Sequence, residues 1–139
     1  MKIKKILLGC VLALVIVLVL LIFLSANSAS LLHKGMSVTI VYDPGYGVAF
    51  EQELTPEESA RVIEILASGY TSSNWGSTPS CGFDRDVAIE VGPFRFLPAM
   101  DTCNWLGCGN TLYMLNVTEK EMAEIHAIFK KYGGEFPCI

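Results

Sequence analysis

Residues 55–69 read TPEESARVIEILASG, and the rest of the chain is best understood by working outward from them. Thr55-Pro56-Glu57-Glu58 is a capping box: the threonine hydroxyl can accept from the backbone N–H three residues on, and the Glu58 carboxylate can reach back to the Thr55 N–H. Pro56 occupies the first helical position, where a missing donor costs nothing. Glu57 and Glu58 suit the positive end of the helix dipole. Ala60, Ile63, Leu66 and Ala67 recur at helical spacing, and Gly69 stands where the helix should stop. The pattern predicts a helix over 56–68.

The same grammar returns at Thr118-Glu119-Lys120-Glu121, with Val117 placed to staple onto Met122. Met122, Ile125, Phe129 and Tyr132 form the apolar stripe. Lys130 and Lys131 suit the negative end of the dipole, and Gly133-Gly134 end the run. A second helix is predicted from Thr118 to about Tyr132.

Around these helices the period changes to two. Residues 37–43 (SVTIVYD) and 48–53 alternate on either side of Pro44-Gly45-Tyr46-Gly47, which reads as a hairpin. Residues 86–91 and 94–97 flank Gly92-Pro93 and read as another, closed by Pro98, which lacks a ladder donor. Residues 111–116 (TLYMLN) supply a fifth strand, and 70–85 and 99–110 read as long loops. The expectation is an α+β domain over 37–139: a small antiparallel sheet of about five strands, in ββα-βββα order, covered on one face by two helices.

Toward the N-terminus, Ile6 to Leu24 reads ILLGCVLALVIVLVLLIFL, nineteen residues without a charge. A bilayer core about 30 Å thick calls for about 20 apolar residues in helical form. Lys2, Lys4 and Lys5 precede the run, and the positive-inside bias would keep them cytoplasmic. These features predict a cytoplasmic stub at 1–5, a transmembrane signal anchor at 6–24, a linker at 25–36 and an extracytoplasmic domain beyond. Small residues at Ala26 and Ser28 leave secretion after signal cleavage as the alternative. Leu7-Leu8-Gly9-Cys10 resembles a lipid-attachment box, but only four residues separate Lys5 from Cys10.

Beyond the apolar run the chain keeps all fourteen acidic residues and seven of the ten basic ones, a net charge of −7. Phosphate would repel such a surface, which argues against nucleic acid as a partner. Four of the five cysteines also lie there: Cys81, Cys103, Cys108 and Cys138. In an oxidising compartment an even set reads as two disulfides, with three possible connectivities. Neither a CxxC pair nor a histidine close to the cysteines suggests a metal or redox centre.

Catalytic grammar is absent: there is no G-x-S-x-G, H-E-x-x-H, P-loop or Rossmann glycine pattern. No cofactor is implied. His126, the only histidine beyond the linker, stands beside the apolar stripe and reads as structural. Trp75 and Trp105 fall in the two long loops, each with glycine and cysteine nearby, where an indole can stack on a sugar or anchor an interface. Asp84 and Asp101 are the acidic residues of the same loops. These four are the candidate ligand-binding residues. The functional expectation is a membrane-anchored, non-catalytic binding domain, with an envelope protein, a glycan or a small molecule as partner. A structural accessory subunit of a membrane complex, associating through 6–24, is the alternative. A thiol-based redox enzyme is a third reading, and it requires a cysteine of lowered pKa.

Overall fold

In the computed structural model both capping boxes form. Residues 2–26, 31–72, 79–80, 82–109 and 113–136 are described, except for the side chains of 2–8 and 22–26. Glu58 N donates to Thr55 Oγ1 at 3.3 Å while Thr55 N donates to the Glu58 carboxylate at 3.2 Å. At the second box the equivalent distances are 3.2 and 2.9 Å. The elements in order are α1 (Lys2–Ala26), β1 (Val38–Tyr42), β2 (Phe50–Glu53), α2 (Pro56–Ser68), β3 (Tyr70–Ser72), β4 (Val87–Val91), β5 (Phe94–Pro98), β6 (Trp105–Cys108), β7 (Met114–Asn116) and α3 (Glu119–Lys131).

All seven strands join one antiparallel sheet in the order β2-β1-β4-β5-β6-β7-β3. The expected five strands become seven because each long loop holds a short one. Leu106, Gly107 and Cys108 of β6 are all buried, which conceals the alternation that marks a one-sided strand. β3, three residues long, pairs with β7 at the sheet edge.

One face of the sheet carries the main core. Ile40, Ile89, Phe96 and Cys108 are direct cross-strand partners in a row. Val62, Ile65 and Leu66 of α2 and Met122, Ile125 and Phe129 of α3 close over them. The two helices run antiparallel: Glu58 at the start of α2 meets Lys131 (2.7 Å) and Tyr132 (2.9 Å) at the end of α3, while Ser68 reaches Glu121 (3.1 Å) at its start. The opposite face is also partly covered. Phe83 bridges to Ala99 and lays its ring over Gly107, about 3.6 Å from where a Cβ would stand, so the chain before β4 folds back onto the sheet.

Two sequence expectations need correction here. The first is the transmembrane signal anchor at 6–24, with the cytoplasmic stub, single-pass membrane localisation and extracytoplasmic placement that followed from it. Residues 6–24 are helical within α1, yet among the described residues no helix is long and apolar enough to cross a membrane. What the structure shows is an exposed helix, with Val11 to Leu21 open on its surface.

The second correction concerns the disulfides. Cys103 and Cys108 form none: Cys108 is buried in the sheet core, facing Phe96, and Cys103 follows a turn at Asp101. Packing and hydrogen bonds therefore do the work assigned to these two cysteines. Cys81 and Cys138 lie outside the described residues.

Candidate functional site

The C-terminal segment turns back along α3 and builds a groove there. Gly134 N donates to the Phe129 carbonyl at 2.9 Å, capping the helix and reversing the chain. A Cβ on Gly134 would stand 3.2 Å from that carbonyl oxygen and 3.2 Å from the Tyr42 ring, so the reversal requires glycine for space. The Tyr42 hydroxyl then clamps the segment, accepting from Glu135 N at 2.8 Å and donating to the Glu135 carbonyl. Phe136 packs edge-on to Phe129, with ring centroids 5.4 Å apart, and against Tyr42 at 6.2 Å.

His126 completes the wall. Its ring stacks on Phe136, with centroids 4.0 Å apart and planes at 27°. Ala123, His126, Ala127 and Lys130 from α3, with Gly134, Glu135 and Phe136, line a groove of about 490 Å³. That volume falls within the range of small-molecule sites. The imidazole is only 8 % exposed, and its Nε2 has no hydrogen-bond partner among the described residues. Burial pushes its pKa below the usual 6.5, opposed by the nearby Ala99 carbonyl and the Asp101 carboxylate. The ring is thus held neutral at pH 7, turned in from the groove toward the Ala99 carbonyl and the Asp101 carboxylate.

Of the sequence-selected residues, Asp101 comes nearest to this site. It is 3 % exposed and receives the Ser80 hydroxyl at 2.7 Å and the Cys103 N–H at 2.9 Å. It acts on His126 electrostatically, without lining the groove. Trp105 opens β6 rather than standing in a loop; strand alternation puts it on the face opposite Leu106 and Cys108, away from the helices. Asp84 accepts from Asp86 N at 2.9 Å and shapes the turn into β4. Trp75 lies outside the described residues. None of the described candidates lines the groove.

The residues that do converge are His126 and Lys130, which the sequence read as a structural histidine and a helix-end cation, with Glu135 and Phe136. One signal for His126 was available: it stands four residues after Met122 and three before Phe129, on the buried stripe. Nothing local announces Glu135 and Phe136, because a distant tyrosine on β1 places them. Burial and the Asp101 carboxylate push the Cys103 thiol pKa up, away from the thiolate form. Among the described residues no cluster of histidine, cysteine and carboxylate side chains could hold a metal ion.

Comparison with protein-family models, with curated proteins and with solved structures returns no match.

Proposed function

We propose that this chain is a non-catalytic binding domain whose ligand is a small molecule seated in the groove beside α3. The observation that carries the reading is the groove of about 490 Å³ itself, which joins an apolar wall of Phe136, Ala123, Ala127 and the His126 ring to one cation, Lys130, and one anion, Glu135. Phe136, the His126 ring and the alanines of α3 supply apolar contact, and Lys130 and Glu135 supply the few charged groups that orient a bound molecule. The raised pKa of the Cys103 thiol weighs against a redox or nucleophilic role, which needs a thiolate. The acidic composition continues to argue against nucleic acid.

The test is an NMR screen of the full chain against a fragment collection, read on backbone amides. Binders should shift Ala123, Ala127, Lys130 and Phe136 together, and His126→Leu should abolish those shifts while leaving the spectrum of a folded protein. A screen in which no fragment perturbs this set would overturn the proposal.

A further inference from the structure

The groove carries one cation and one anion on its lining, Lys130 from α3 and Glu135 from the returning segment. Neither side chain is in an ion pair among the described residues; Lys131, the neighbouring cation, is instead committed to Glu58 at 2.7 Å. The rest of the lining is an aromatic ring, two alanines and the His126 imidazole. A ligand that answers all of these needs an anionic group for Lys130, a cationic N–H donor for Glu135 and a compact apolar part.

Building on the binding reading above, we propose that the groove takes a small zwitterion of the α-amino-acid class, with an apolar side chain against Phe136, Ala123 and Ala127. The carboxylate pairs with Lys130 and the ammonium with Glu135, while the His126 ring adds to the apolar wall. Two opposite charges on one groove select against molecules that carry only one of them, because the other wall charge is then left beside the ligand uncompensated.

Isothermal titration of the full chain with L-leucine and L-phenylalanine tests this, with N-acetyl-L-leucine and L-leucinamide as single-charge controls. At least one free amino acid should bind, and each control should bind about tenfold or more weakly, the loss expected for one charge-assisted hydrogen bond. Lys130→Ala should remove the preference for L-leucine over L-leucinamide, and Glu135→Gln the preference over N-acetyl-L-leucine. Equal affinity for L-leucine and both controls, or no heat with either amino acid, would overturn the inference. If fragments still shift the groove amides in that case, the zwitterion assignment alone falls. If they do not, the binding reading falls with it.

Discussion

His126 and Tyr42 are single residues on which the C-terminal architecture turns. His126 is neutral in the folded chain and free to protonate in the unfolded one, so below pH 6.5 the unfolded state binds more protons. Its contribution is therefore complete above pH 6.5 and declines as pH falls toward the depressed folded value. The groups facing the ring are the Ala99 carbonyl and Asp101 on one side, with Lys130 and Glu135 on the groove lining. His126→Gln should flatten that part of the stability profile, seen as urea midpoints that change less between pH 7 and pH 5 than in the parent chain. Tyr42→Phe keeps the ring packing but removes the hydroxyl that serves both Glu135 backbone groups. A loss of about 1–2 kcal/mol is expected, together with faster amide exchange at Glu135. Unchanged exchange there would show that the hydroxyl is not what holds the segment.

Among the elements, the two helices were readable because their start signals are local in sequence. Their stops at Gly69 and Gly133 were readable too, but their mutual packing and the reason glycine stands at the first stop were not. Gly69 illustrates the difference. It reads as a helix-terminating glycine, yet its φ of −66° and ψ of 151° are open to any residue. Glycine is needed because a Cβ there would stand 2.7 Å from Leu115 Cγ and Cδ1 on β7. Gly69→Ala should therefore destabilise by about 1–3 kcal/mol in urea titration, the usual range for overpacking; a neutral or stabilising result would contradict the close approach. Between the helices, Lys131 and Tyr132 hold the Glu58 carboxylate, lowering its pKa from 4.5 to about 2. A carboxylate depressed in the fold contributes stability above pH 4.5, which is lost as pH falls toward 2. Lys131 is 57 % exposed and solvent screens the pair, so Glu58→Gln should cost only about 1 kcal/mol at pH 7 and nothing near pH 2.

At the scale of the whole molecule, the row Ile40, Ile89, Phe96 and Cys108 ties four strands beneath both helices. Ile89 is fully buried at the centre of that row, so Ile89→Ala should cost about 2–5 kcal/mol. Against a total of about 5–15 kcal/mol for a domain, that is a large share, and it should appear as a lower urea midpoint with an unchanged slope. By itself, the amino-acid order determined the helix starts, the first two hairpins and the acidic balance, because capping, alternation and charge depend on neighbours a few residues apart. It also suggested a membrane span and two disulfides among Cys81, Cys103, Cys108 and Cys138, of which Cys103 and Cys108 form none, from composition and cysteine number. Composition and number do not specify the pairing geometry, and the described structure upholds neither. Only tertiary structure decided the seven-strand order, the covering of both sheet faces and the groove. The groove depends on Tyr42 meeting Glu135 across ninety-three positions, and on the only histidine of the folded part being turned inward against Phe136. Contacts at such separation follow from how layers pack, and no local pattern along the chain encodes them.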